Sequence, residues 1–300
     1  MADAADIRVT EVGPRDGLQN ESIVVPVADK IAFIDRLSRS GPAEIEVSSF
    51  VSPDWVPQLA DAEAVFAGIT RAPGIVYSAL VPNEQGLHRA VTAGVDKVAH
   101  FTAASESFCF RNTNASIDET FNRLAPIVAG ARAVGIAVRG YISCVVFCPY
   151  EGPTDPRRVR DVAARLLDAG VDEIDLGETI GVAVPGDIER LYDGLDGLVG
   201  PADTTLHLHD TRGTALACAA AAIRIGVRRF DVSCGGLGGC PYAPGAAGNL
   251  ATEDLVYFCD RMGYATALDL DALFDAARHI AGVLGRNLPG RVFNADGRGG

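Results

Sequence analysis

Residues 204–210 read TTLHLHD, and two of the chain's five histidines, His207 and His209, stand two positions apart there. On an extended strand, side chains two apart project to the same side, with their Cα atoms about 6.6 Å apart. The two imidazoles then share one side, and Leu206 and Leu208 the other. At the C-terminal end of a strand such a pair can hold one metal ion. The competing reading is two hydrogen-bonded histidines in a core.

A metal centre needs further ligands from other strand ends. GPRDGLQNE (13–21) offers the carboxylate of Asp16 in a turn held by Pro14 and Gly17. GGLGGCPYAPGAAGN (235–249) carries six glycines, too many for a hydrophobic core. It is either a mobile lid or a binding cradle. It ends in Asn249, whose side-chain carbonyl is a candidate fourth ligand, just before the capping-like helix start ATEDL. Two imidazoles with Asp and Asn oxygens suit an octahedral divalent ion, Mg2+ or Mn2+. Zinc is the second choice, because the set requires no thiolate.

Other charged or reactive groups belong near the same place. Arg15, beside Asp16, could stabilise an oxyanion or enolate, or form a surface salt bridge. Glu46 lies inside an apolar strand, where an unpaired carboxylate is costly, so it should pair with a cation, Arg15 being the natural candidate. Glu11 is either catalytic or packed against a partner deep in the fold. Cys240, in the glycine loop, is either an acid or base that arrives on loop closure or a small buried apolar residue. Cys144 and Cys148 are four apart without a second pair at zinc spacing, and read as core residues.

Eight β-rich segments could position these groups: 7–13, 43–49, 75–81, 95–101, 136–143, 171–177, 204–210 and 228–234. Amphipathic helical patterns lie between them, as at 29–41, 155–170 and 214–226, each closing on a glycine suited to a helix C-cap. Strands alternating with helices predict a (β/α)8 TIM barrel, which typically needs about 250 residues. Residues 1–300 then form one domain, with an extra C-terminal helix (LDLDALFDAARHIAGVLG) and a loose tail from about 290. An open doubly wound sheet is the alternative. A barrel gathers the C-terminal ends of all its strands at one rim, which is where the proposed ligands must meet.

With 48% hydrophobic and 22% charged residues, the composition is that of a soluble protein with a substantial core. The net charge of −13 argues against nucleic-acid and anionic-membrane partners. No apolar run is long enough to span a membrane, and the N-terminus lacks signal-peptide character. Seven cysteines, an odd number in a long chain, fit a reducing cytoplasm better than a disulfide scaffold.

Several motifs together carry a resemblance. GPRDGLQNE, SSFVSPDWVPQLAD (48–61), ASESF (104–108), RGYISC (139–144), CPYEG (148–152), LGETIGVAVPG (176–186), HLHDTRG (207–213) and the cysteine-bearing glycine loop resemble 3-hydroxy-3-methylglutaryl-CoA lyases. The resemblance spans residues 7–285, and the glycine loop separates this branch from other metal-dependent barrel lyases and synthases. It implies a divalent metal held by Asp16, His207, His209 and Asn249. It implies cleavage of the acyl-CoA to acetyl-CoA and acetoacetate, with Arg15, Cys240, His207 and Glu46 as catalytic residues. Arg15, Gln19, Ser49, Tyr141 and Thr179 would bind substrate, and a homo-oligomer is expected. Arg111 and Asn112 either touch the nucleotide or belong to a solvated loop. Two residues depart from the pattern: Glu178 where aspartate is expected, and Cys234 where a small apolar residue is commoner. They leave open another 3-hydroxyacyl-CoA or a related aldolase reaction. A binding protein without catalysis is a third reading, against which all the proposed ligands are present.

Overall fold

Parallel pairing closes eight strands into a ring in the computed structural model, which describes residues 6–239 and 248–296. The strands are β1 (Arg8–Glu11), β2 (Glu44–Ser49), β3 (Val76–Leu80), β4 (Lys97–Ala103), β5 (Ala137–Ser143), β6 (Glu173–Glu178), β7 (Thr204–Leu208) and β8 (Arg229–Val232). Each lies beside its sequence neighbours, and β8 closes on β1 with Arg8 opposite Arg229 and Glu11 opposite Val232. The closure excludes the doubly wound alternative. All six residues of β2 are buried, as expected for strands covered by side chains inside the ring and helices outside.

The helices are α1 (Val27–Ser40), α2 (Ala62–Gly68), α3 (Glu84–Thr92), α4 (Glu106–Thr113), α5 (Ile117–Ala133), α6 (Pro156–Ala169), α7 (Pro185–Leu195), α8 (Ala215–Ile225), α9 (Thr252–Met262), α10 (Leu270–Leu284) and α11 (Arg291–Ala295). Helices α1, α6 and α8 stop at the glycines that the sequence marks, Gly41, Gly170 and Gly226, each with a positive φ that a side chain would oppose. None of the described helices is long and apolar enough to cross a membrane.

The ring's interior is partly ionic. Lys97 Nζ lies 2.7 Å from Glu44 Oε2 and 2.7 Å from Glu173 Oε1. Arg139 reaches Glu44 at 2.9 Å, Glu173 at 3.1 Å and Asp231 at 3.2 Å. Buried charges persist only in such mutual pairing. The network fills the middle of the barrel below the rim.

Helix α9 starts at Thr252, within the expected ATEDL start, but without a side-chain cap: the Thr252 hydroxyl donates to Glu11 Oε2 at 2.6 Å, tying the helix to the end of β1. One expectation fails locally. Residues 291–296 are not a loose tail: α11 buries Phe293 against the core, and its first amides donate to Asp254. Cys144 and Cys148 are buried in a small apolar cluster with Phe108 and Ile117, as core residues should be.

Candidate active site

The chain leaves β1 through one wide turn in which the amides of Asp16 and Gly17 both reach Val12 O, at 2.8 and 3.1 Å. Such five-residue turns recur at functional sites because they re-aim a side chain without breaking the backbone. Here the turn points Arg15 and Asp16 at the rim. A Cβ on Gly17 would sit 2.8 Å from Ser233 Oγ and 2.9 Å from Leu237 Cβ, so only glycine lets the turn lie against the segment after β8.

β7 presents His207 and continues to His209, with ring centroids 5.2 Å apart, while Leu206 and Leu208 pack into the core. Ligand-type atoms of Asp16, His207 and His209 all lie within 4.8 Å of one another. Asn249 is brought in by backbone pairing: Asp210 N donates to Gly248 O at 2.7 Å, Leu250 N to Leu208 O at 2.9 Å, and His209 stands opposite Asn249 in a single antiparallel bridge. Asn249 Nδ2 donates to Asp16 Oδ2 at 2.9 Å and to Leu237 O at 3.1 Å.

Asn249 Oδ1 and His209 Nδ1 are buried and have no hydrogen-bond partner among the described residues. Buried polar atoms are normally satisfied, and two orphans beside a carboxylate and a second imidazole are what a cation would satisfy. Oxygen and imidazole donors without a thiolate fit a hard or borderline divalent ion. Electrostatics agree. Burial opposes charge on Asp16, but Arg15 and the two imidazoles hold its pKa far below the usual carboxylate range. Burial and the adjacent His207 push His209 down to about 4, leaving it neutral near pH 7. His207 is raised in spite of burial, because Asp231 and Asp16 favour its charged form.

Arg15 is held on two sides. Its Nε donates to Glu46 Oε2 at 2.5 Å and one Nη to Asp16 Oδ1 at 2.5 Å. Its guanidinium lies 5.6 Å from the Tyr141 ring centre, and Tyr141 donates its hydroxyl to Glu46 Oε1 at 3.1 Å. Glu46, raised by burial but lowered by Arg15, is thus the buried anchor of a cation that faces the rim.

A cavity of about 570 Å3 opens above this cluster. Arg15, Asp16, Tyr141, Thr179, His207 and His209 line it, as does Gln19. Three expected residues do not. Asn249 is buried beside Asp16. Glu46 stands behind Arg15, and Ser49 donates its hydroxyl to Leu80 O at 3.3 Å inside the β2–β3 pair. Asn112 reaches the cavity, whereas Arg111 stacks over the Tyr150 ring at 4.4 Å. Cys240 lies outside the described residues. Glu178 is absorbed by its own loop, accepting from Val182 N at 3.1 Å.

Asp175 and Asp231, unremarked in the sequence, lie below the ligands. Asp231 Oδ2 is 3.5 Å from His207 Nδ1, and Arg139 contacts both carboxylates. Burial and the Asp231 charge push Asp175 well up; Asp231, though buried, is held down by Arg139 and His207. No local signal marked them: Glu173 and Glu178 share EIDLGE with Asp175, and Arg229 shares RFDV with Asp231, so neither acid stands out in its strand.

A closed parallel barrel whose C-terminal rim gathers these four side chains beside a buried arginine defines a class: TIM-barrel enzymes with a cluster at the strand ends of the kind that can hold a metal ion. Within that class, the chain belongs to the HMGL-like family, whose model matches residues 6–280. A Pseudomonas aeruginosa lyase named for 3-hydroxy-3-isohexenylglutaryl-CoA and hydroxymethylglutaryl-CoA is 48% identical, over 96% of each chain. The Bacillus subtilis HMG-CoA lyase structure superposes with a TM-score of 0.96 at 41% identity, covering 99% of this chain and 100% of that one. An Acinetobacter baumannii HMG-CoA lyase, solved with coenzyme A and 3-methylmalate, gives 0.92 at 40% identity, with 98% and 97% covered.

Proposed function

We propose that this chain is a carbon–carbon lyase that cleaves 3-hydroxy-3-methylglutaryl-CoA to acetyl-CoA and acetoacetate. The observation that carries the reading is the convergence of Asp16, His207 and His209, with Asn249 hydrogen-bonded to Asp16, next to Arg15. These four side chains would hold the divalent metal, with Mg2+ or Mn2+ favoured by the oxygen and imidazole donors. When bound, the metal supplies Lewis acidity that acidifies and orients the substrate's tertiary hydroxyl.

The remaining work belongs to the chain. The hydroxyl proton leaves, C3 becomes the ketone of acetoacetate, and the electron pair of the C2–C3 bond becomes a thioester enolate. The proton is assigned to His207 or to a hydroxide held at the same centre, with Asp231 behind the His207 ring to orient it. Arg15 stabilises the enolate oxygen, kept charged and oriented by Glu46 and Tyr141. Cys240 is assigned delivery of a proton to C2, which completes acetyl-CoA. Gln19, Tyr141 and Thr179, which line the cavity, are assigned substrate contacts.

The test is acetoacetate formation from 3-hydroxy-3-methylglutaryl-CoA before EDTA, after EDTA, and after adding back Mg2+ or Mn2+. Loss and recovery of turnover are expected. A panel with longer 3-alkyl branches belongs in the same experiment, because Val51, Val56, Leu80, Phe101 and Phe108 give the cavity an apolar wall. If only a longer-branched thioester is cleaved, the substrate assignment falls. If EDTA leaves turnover intact, the metal assignment falls.

A further inference from the structure

The C-terminal segment touches neither the cavity nor a proposed ligand, yet it holds the two backbone stretches that carry two of them. Asp210 follows His209 directly, and Asp254 lies five residues after Asn249. Both carboxylates are buried, at 6% and 2% exposure. Arg291 joins them. One of its Nη atoms donates to Asp210 Oδ2 and lies 3.7 Å from Asp254 Oδ2.

The backbone of α11 completes the clasp. Arg291 N and Val292 N donate to Asp254 at 3.2 and 2.7 Å. Gly290 N donates to Gly235 O at 2.8 Å, at the start of the glycine-rich segment. Asp210 in turn accepts Ala215 N at 2.9 Å, and its own amide donates to Gly248 O. Arg291 is thus the one side chain through which α11 bonds the residue next to His209, while α11's amides bond the helix that follows Asn249. Removing it would leave Asp210 Oδ2 without a hydrogen-bond donor among the described residues, and the costs of unpaired buried charge fall on the backbone beside two ligands.

The geometry points to Arg291 as a positioning residue for the metal centre: bridging Asp210 and Asp254, it holds the backbone carrying His209 in register with the backbone carrying Asn249. The inference rests on the functional reading above, since it concerns how well the proposed ligands bind their ion. Arg291 touches neither substrate nor metal, so its effect is on metal affinity first and on turnover only through it.

The experiment measures Mn2+ binding to metal-free protein by electron paramagnetic resonance, for wild type, Arg291→Gln and Arg291→Lys, with thermal unfolding of each. Arg291→Gln should weaken Mn2+ by about tenfold, the lower end for groups that orient ligands. Its turnover should recover at saturating Mn2+. Arg291→Lys, which keeps a cation within reach of Asp210, should recover most of the affinity. A Kd for Arg291→Gln within twofold of wild type overturns the inference. Equal weakening by both variants would mean that the bridge needs the guanidinium itself, and supports the inference. If Arg291→Gln does not fold, Arg291→Lys and Asp210→Asn are compared in the same assay, and an unchanged Kd in Asp210→Asn overturns the inference. Failure of the functional reading looks different: wild type itself then binds no Mn2+ or cleaves no thioester.

Discussion

Asn249 donates a hydrogen bond to Asp16 across 2.9 Å, although 233 residues separate them. The contact joins the first strand's turn to the last loop's end and leaves Asn249 Oδ1 unpartnered. It fixes which atom of the amide faces the cation site, because the nitrogen is already committed to Asp16 and Leu237 O.

Replacing that amide by a carboxylate tests the arrangement. Asn249→Asp sets two anions against each other and removes two donors. Metal-free protein should lose about 1–3 kcal/mol, which is roughly 2–5 °C in Tm for a chain of this size. Mn2+ should restore more stability to Asn249→Asp than it adds to wild type. Calorimetry with and without Mn2+ reads this directly, and equal metal shifts in the two proteins count against Asn249 as a ligand.

Arg15 is held by geometry that lysine lacks. Its Nε and one Nη are separately engaged by Glu46 and Asp16. Arg15→Lys keeps the charge but not the fork. Its kcat should fall about a hundredfold or more, the range for losing one oxyanion donor, with a smaller change in KM. Glu46→Gln, which leaves Arg15 in place but loosely held, should cost less, about tenfold. Steady-state acetoacetate assays decide. If Glu46→Gln costs more than Arg15→Lys, the carboxylate itself does chemistry.

Glu11 ties β1 to β8 and α9 by accepting from Gly13 N, Cys234 N and Thr252 Oγ1. Burial nevertheless pushes its carboxyl up to about 8 and that of nearby Glu253 to about 7. Both folded values lie above the ordinary 4.5, so the folded state binds more protons than the unfolded one between pH 4.5 and 8. This stability is complete below pH 4.5 and is lost as pH rises through 7 and 8. Glu11→Gln leaves one donor badly matched and should cost about 2 kcal/mol near pH 6. The gap in Tm between wild type and Glu11→Gln should narrow toward pH 8.5, because only wild type has that charge to acquire. A gap that is constant with pH refutes the buried, protonated form.

Proton competition should appear at the metal. His209 is already neutral at pH 7, but Asp231 and Asp16 favour a proton on His207. A bound ion needs the neutral ring. Mn2+ affinity should therefore fall as pH drops below neutral, and binding at pH 6.5 should release a proton. Titration calorimetry in two buffers of different ionisation enthalpy measures that release.

Local periodicity made much of this fold legible. The glycine stops after α1, α6 and α8 and the apolar strand runs each carry their signal within a few residues. His207 and His209 were legible because a two-residue spacing survives folding unchanged. Helix α11 was not: its anchors, Asp254 and Asp210, lie 37 and 81 residues from their partner Arg291, and a short segment rich in Gly and Arg has no pattern of its own. Ser49 shows the same limit on a smaller scale. Nothing local says that its hydroxyl turns to the neighbouring strand's carbonyl. Asp175 and Asp231 were hidden for another reason, since their meaning depends on Arg139 reaching across the ring.

The ionic middle of the barrel has a consequence for traffic. Lys97 and Arg139, gripped by Glu44, Glu173 and Asp231, stopper the tube below the rim. Nothing can be threaded through to the far side. A reactant must enter and leave at the rim, so both fragments of a cleavage share one doorway.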